Sequence, residues 1–182
     1  MPEAFSPAEA EFEQVLRDYG FMTASLKEAV KAPSIEDNKG LWVTLPDILA
    51  IDTKGGQGWC FEVKDETTSS YKMQVRQLGK TERYGGGYAG PVWLLERHKT
   101  IGYRDFSAAF DCPCVIAVHG DAGWRAGFFT CRNNGLVDYN TGTVAEAWED
   151  WNERRIPVMY ERMLELDGFM KSIRELRSIF WR

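Results

Sequence analysis

Apolar positions along the chain change their spacing from helical to alternating and back, and these changes mark out the elements. At the N-terminus Phe12, Val15, Leu16 and Tyr19 form one apolar stripe at helical spacing. Ser6 stands at the N-cap, Pro7 at the first helical position and Glu9 at the third, which together make a capping box, and Gly20 closes the helix. Thr23 to Lys31 reads as a second short helix with Leu26, Ala29 and Val30 inward, followed by a loop over Pro33 to Gly40. Leu41 to Ile51 and Trp59 to Val63 are β-branched or aromatic runs flanking the glycine-rich Thr53 to Gly58, which predicts a β-hairpin. Ser69 or Ser70 then caps a helix with Tyr71, Val75 and Leu78 at i, i+4 and i+7, ending at Gly85-Gly86-Gly87. Pro91 to Leu95 and Cys114 to Val118 read as strands, and Trp124 to Cys131 pairs with Leu136 to Tyr139 through Asn133-Asn134-Gly135. Thr143 with Glu146 makes another capping box. Beyond Pro157 the spacing of Leu166, Phe169, Met170, Ile173, Leu176 and Phe180 gives an amphipathic C-terminal helix. This order predicts a mixed α/β fold around one central sheet.

Composition adds scale to that outline. With 182 residues, 44% hydrophobic and 13% aromatic, the chain can build a substantial core as one domain over 1–182, and disorder is excluded. The net charge of −5 leaves no protein-wide positive field, so any site for a polyanion must be a local patch. On a helix over 70–83, Lys72, Arg76, Lys80 and Arg83 fall within about 80° of one another, away from the apolar side, and make such a basic stripe. No apolar run approaches the roughly 18 residues of a membrane span, and Met1-Pro2-Glu3-Ala4 lacks a basic segment leading into an apolar one, so the expectation is a cytoplasmic protein with no membrane partner and reduced cysteines. Cys112-Pro-Cys114, His119 and Cys131 invite a zinc reading, but Cys-x-Cys is tighter than the usual ligand spacing, and buried or loop cysteines fit better.

Candidate chemistry concentrates on the hairpin. Leu45-Pro46-Asp47 is followed, fifteen residues after the aspartate, by Glu62-Val63-Lys64. Residues i and i+2 of a strand share a face, so Glu62 and Lys64 point the same way, and Asp47 can meet them across the hairpin. Two hard carboxylates on one rigid face suit Mg²⁺ or Mn²⁺, and an ammonium beside them can orient or help deprotonate water, which together make a phosphodiester-hydrolysing site. Asp37-Asn-Lys39 and Asp52-Thr-Lys54 have the same acidic-x-Lys form but lie in a polar loop and at the hairpin turn. Only the third triplet is embedded in an apolar strand, where a charged pair is costly unless it is partnered or binds a metal. An exposed pair on an edge strand is the structural alternative. Trp124, Phe128 and Phe129 read as core rather than a base-stacking platform, and Arg97-His98-Lys99 with Arg104 as a solvated face.

At these residues, over roughly 5–95, the chain resembles the PD-(D/E)xK nuclease superfamily, the restriction-endonuclease-like fold that includes archaeal Holliday junction resolvases. Phe12-Glu13 resembles the family's initial helix with its glutamate, Pro46-Asp47 the metal-binding aspartate, and Glu62 and Lys64 the second metal ligand and the catalytic lysine. Gln74-Val-Arg-Gln77 is similar to a glutamine-bearing helix of the resolvase-like branch. Helical-wheel angles put Glu11 and Glu13 on opposite flanks of the apolar face, and the Phe-Glu context favours Glu13. Gln74 lies nearer the buried side of the expected helix than Gln77. The resemblance implies a sheet flanked by helices, Mg²⁺-dependent hydrolysis and a nucleic-acid substrate; residues 96–182, beyond its reach, read as a C-terminal β-rich and helical extension of the same domain.

The leading reading is a metal-dependent DNA nuclease. Asp47, Glu62 and the carbonyl of Val63 hold the ion, Glu13 assists, Gln74 orients a ligand or phosphate, and Lys64 positions the nucleophile. DNA runs along Lys72, Arg76, Lys80 and Arg83. Cutting both strands of a duplex with one site per chain implies a homodimer. The alternatives are a catalytically silent nuclease-like nucleic-acid-binding or assembly module, and an unrelated acidic α/β protein.

Overall fold

The computed structural model describes residues 6–26, 45–66, 72–78, 88–130, 135–138, 143–146 and 155–181. The first helix, α1 (Pro7–Asp18), forms as its sequence dictates: the Ser6 hydroxyl accepts from the Glu9 amide at 3.2 Å, the Glu9 carboxylate accepts from the Ser6 amide at 3.3 Å, and Phe12 and Leu16 are buried. Gly20 turns the chain at φ +89, a left-handed conformation that favours glycine. The next element is a strand, β1 (Phe21–Ser25), which takes the first three residues of the helix expected over Thr23 to Lys31, while Leu26 is helical. Phe21 and Ser25 alternate inward around exposed Met22 and Ala24, and the strand pairs antiparallel with β2 (Ile48–Asp52), so sheet pairing claims Thr23 to Ser25 ahead of the helical Leu26. The remainder of that segment, like the expected strand residues 41–44, lies outside the described residues.

β2 and β3 (Gly58–Asp65) form the expected hairpin, in register Ile48 with Phe61 and Ile51 with Gly58. Its turn carries Gly56 at φ +67 and is fixed by the Lys54 amide donating to Asp52 at 2.9 Å. Where the basic helix over 70–83 was expected, the chain forms strand β4 (Gln74–Leu78), paired antiparallel with β5 (Tyr88–Glu96). Val75, expected to face inward, is 82% exposed. β5 would otherwise leave a row of unpaired backbone groups on this side, and β4 satisfies them. The stripe geometry therefore does not hold: Lys72 precedes a strand, Arg76 lies within it, and Lys80 and Arg83 fall outside the described residues.

α2 (Arg97–Phe110) leads into β6 (Cys114–Gly120), which runs parallel to β3. β7 (Gly123–Thr130) and β8 (Gly135–Asp138) pair as expected. Thr143 to Glu146 is a strand, β9, paired with β8, so its Thr-x-x-Glu pattern caps no helix; β-branched Thr143 and Val144 serve the hairpin instead. β10 (Arg155–Met159), a short 3₁₀ turn, β11 (Leu164–Glu165) and the amphipathic α3 (Leu166–Phe180) complete the order. The large sheet runs β1-β2-β3-β6-β7-β8-β9 with β11 on β7, and a second sheet runs β10-β5-β4. The fold is mixed α/β, with helices against a central mixed sheet.

The alternation of β3 divides the core. Trp59, Phe61 and Val63 pack with Phe12 and Leu16 of α1 and with Phe169, Met170 and Ile173 of α3. Cys60 faces the opposite cluster, built from Tyr103 of α2, Trp93 and Leu95 of β5 and Val158 of β10. Phe128 and Phe129 are core residues, one in each cluster. Asp52, buried at the end of β2, is held by two nitrogens of the Arg174 guanidinium, Nε and Nη2, which ties α3 to the hairpin. Cys60, Cys112 and Cys114 are buried free thiols, and burial pushes the Cys60 thiol well above its ordinary range. Among the described residues no helix is long and apolar enough to cross a membrane.

Candidate metal and catalytic site

The site forms where the β2 ladder ends and β3 continues. The Asp47 amide donates to the Phe61 carbonyl at 2.9 Å, and the Asp47 carbonyl accepts from the Leu26 amide at 3.0 Å, so the residue is fixed between β1 and β3. Its side chain is buried and takes over the pairing that β2 no longer supplies: Oδ2 accepts the Val63 amide at 2.8 Å. The N–H and C=O of one strand residue point to the same side, so the Val63 carbonyl is turned toward the edge that Asp47 occupies.

Glu62 and Lys64 share the face of β3 toward α2, as alternation requires. Glu62 Oε1 accepts from Lys64 Nζ, and the lysine stays partly exposed. Glu62 is 3% exposed, and its Oε2 has no hydrogen-bond partner among the described residues. Burial pushes the Glu62 carboxyl up to about 7; the Asp47 charge pushes the same way, and Lys64 opposes both. Two buried carboxylates that repel one another, one with an unsatisfied oxygen, form an electrostatic arrangement that a divalent cation relieves. Two carboxylates and one main-chain carbonyl are hard oxygen donors and fit Mg²⁺ or Mn²⁺, whose remaining ligands are ordinarily waters. No cluster of three or more His, Cys, Asp or Glu side chains occurs among the described residues.

The other expected site residues lie elsewhere. Glu13 Oε1 accepts from Arg17 and from the Thr23 hydroxyl, each at 2.7 Å, and Thr23 stands opposite Ala50, three residues along β2 from Asp47. That is about 10 Å of strand at roughly 3.3 Å per residue. Glu11, on the other flank, accepts from Trp124 Nε1 at 3.2 Å. α1 carries a third carboxylate on its inner side, Glu9. It is buried, and it lies one turn nearer the helix start than Glu13, about 6 Å along the axis. Since α1 and β1 are joined by the tight turn at Tyr19-Gly20, that displacement runs toward Ser25 and Leu26, whose amide holds Asp47. Its capping role was legible in the sequence and concealed its inward position.

Gln74 is exposed at the start of β4, opposite Val92, and not on the buried side of a helix. Lys72 Nζ donates to the Glu66 carbonyl, and the Met73 amide donates to Glu66 Oε1 at 3.1 Å. Glu66 therefore holds the start of β4 beside the end of β3, two residues beyond Lys64. On the opposite face, buried Asp65 meets His119 Nδ1 at 3.0 Å, and the imidazole stacks on Trp124 with centroids 4.7 Å apart.

No family model matches this sequence, and no curated protein matches it. Among solved structures, the chain is similar to Hjc, a Holliday junction resolvase from Archaeoglobus fulgidus. The similarity has a TM-score of 0.53 at 15% identity and covers 92% of this chain and 98% of that one, so the two share a fold over nearly their whole lengths.

Proposed function

We propose that the protein is a metal-dependent nuclease that hydrolyses phosphodiester bonds in DNA, with branched DNA as its substrate class. The observation that carries this reading is the buried Glu62 carboxylate, bonded to Lys64 through one oxygen and unsatisfied at the other, beside Asp47. The fold shared with a Holliday junction resolvase supports the choice of substrate. Asp47, Glu62 and the Val63 carbonyl would hold Mg²⁺ or Mn²⁺, which when bound supplies Lewis-acid neutralisation of charge developing on the phosphate. Lys64 carries an ammonium from the buried carboxylate toward solvent, where it orients the attacking water and assists its deprotonation. Glu9 takes the role of the α1 carboxylate in place of Glu13. Asp47 keeps the Val63 peptide oriented, so the carbonyl donor is preset before any ligand arrives.

The DNA path begins at Lys72, which Glu66 keeps beside the Lys64 end of β3, and continues over Arg76, with Lys80 and Arg83 further along the chain. These cations supply locally the positive charge that the acidic chain lacks overall. Cleavage of both strands of a branched substrate by one site per chain calls for a homodimer.

The test is a panel of end-labelled duplex, single-stranded, flap and four-way-junction DNAs, with matched RNAs, incubated with Mg²⁺ or Mn²⁺ beside a Lys64→Met control. Metal-dependent cleavage of the junction, absent in the control, is the expected result. Binding of these DNAs with no cleavage under any metal condition would refute the enzyme and leave the silent binding module.

A further inference from the structure

α2 presents an unusual buried face. Thr100, Tyr103 and Ser107, spaced to fall on one side of the helix, are all 0% exposed, and two of the three are small hydroxyl residues where an apolar stripe would be ordinary. They lie along β3. The Ser107 hydroxyl is 3.8 Å from Cys60 Sγ, and the Tyr103 side chain interacts with Glu62. Four residues of helix rise about 6 Å and two residues of strand about 6.6 Å, so the two ladders stay in step from Cys60 with Ser107 to Glu62 with Tyr103. Tyr103 OH, like Glu62 Oε2, has no hydrogen-bond partner among the described residues. A buried hydroxyl left unpaired disfavours folding, and phenylalanine would fill the same space without that penalty. This hydroxyl sits on the α2 residue that interacts with Glu62, whose buried Oε2 is likewise without a hydrogen-bond partner among the described residues.

We propose that Tyr103 is a positioning residue for this site: its hydroxyl donates to Glu62 Oε2 in the ionised carboxylate and fixes the orientation in which Glu62 receives the divalent cation. Lys64 holds Oε1 from the solvent side and Tyr103 holds Oε2 from the core side, so the carboxylate plane is set from both ends. Partners of ligating carboxylates act in this way, and their loss ordinarily weakens metal affinity tenfold or more. The inference rests on the nuclease reading, because it assigns Glu62 to the metal.

The test compares wild-type protein, Tyr103→Phe and Glu62→Gln by Mn²⁺ titration calorimetry without DNA at pH 8, with melting curves in EDTA and in saturating Mn²⁺. Tyr103→Phe is expected to stay folded in EDTA, since its ring still fills the same buried place on α2, and to lose more of its melting temperature in saturating Mn²⁺ than in EDTA. It should bind Mn²⁺ about tenfold more weakly, and in junction cleavage the half-saturating Mn²⁺ concentration should rise by the same factor while the plateau rate is largely retained. Wild-type Mn²⁺ affinity in Tyr103→Phe, with Glu62→Gln unable to bind, would overturn the role of Tyr103 and leave the nuclease reading standing. An equal fall in melting temperature with and without Mn²⁺ would make the hydroxyl structural and also overturn it. If wild-type protein failed to bind Mn²⁺, or Glu62→Gln bound it normally, the nuclease reading would fall and this inference with it.

Discussion

The charge on Glu62 is the costliest feature of the metal-free site, and replacing the residue by glutamine measures that cost. Its carboxyl titrates at about 7 in the fold against an ordinary 4.5. At about 1.36 kcal/mol per pH unit, keeping it ionised above pH 7 opposes folding by about 3 kcal/mol. The sign follows from the direction of the shift. A carboxyl raised in the folded state favours the fold in its protonated form, so its contribution is fully present below pH 4.5 and is lost as pH rises through about 7. Glutamine does not titrate. The difference in unfolding free energy, Glu62→Gln minus wild type, should therefore increase by about 2.5 kcal/mol between pH 5 and pH 8. Titrating groups that do not interact with Glu62, including the Asp52–Arg174 pair, are common to both proteins and cancel. Urea unfolding in EDTA at pH 5, 6, 7 and 8 reads this difference directly, provided the slope against urea is the same for both proteins. Saturating Mn²⁺ should restore wild-type stability at pH 8 and leave the variant unchanged. A difference that stays constant across the range within about 0.5 kcal/mol would refute the argument that Glu62 is held ionised at a penalty the metal removes.

Asp47→Asn and Lys64→Met should each slow cleavage at least about a hundredfold. The asparagine carbonyl still accepts the Val63 amide, so both variants should fold, with Mn²⁺ binding lost in the first and kept in the second; wild-type turnover by Lys64→Met under chemistry-limited conditions would remove the lysine from the mechanism. Glu9→Gln, which keeps a capping side chain, should lower the cleavage rate about tenfold or more, whereas Glu13→Gln should change it less than about threefold. The reverse ranking would return Glu13 to the site. Replacing Lys72 and Arg76 together by Gln should make the slope of log affinity against log salt shallower by nearly two units, at about 0.9 per phosphate contact, measured by fluorescence anisotropy on an Asp47→Asn background. An unchanged slope would move the DNA path elsewhere.

The features legible in the sequence are those encoded locally. Ser6, Pro7 and Glu9 cap α1 with short-range hydrogen bonds, and the hairpin that carries Asp47, Glu62 and Lys64 is defined by strand runs around a glycine turn. Elements whose state is decided by distant partners were not legible. Tyr71, Val75 and Leu78 fit a helical stripe, but β5 needed a neighbour, and pairing with it made 74–78 a strand. Thr143 to Glu146 has the letters of a cap and the partner of a hairpin. α2 went unread for the opposite reason: its buried face is Thr100, Tyr103 and Ser107, so no apolar periodicity announces it, and its first turn, Arg97-His98-Lys99, reads as a charge run. The site divides in the same way. Asp47, Glu62 and Lys64 are adjacent on one hairpin and so legible as a motif, whereas the roles proposed for Glu9 and Tyr103 rest on packing from separate helices.

That division has a kinetic side. Asp47, Glu62 and Val63 come together once the short turn from Thr53 to Gln57 closes, a local event with a small loop-closure cost, whereas Tyr103 reaches Glu62 only after the long crossover through β4, β5 and α2 has docked β6 alongside β3. The donor set can therefore assemble while much of the chain is still disordered, and a divalent ion present during refolding would have a hairpin to bind before it has a finished protein.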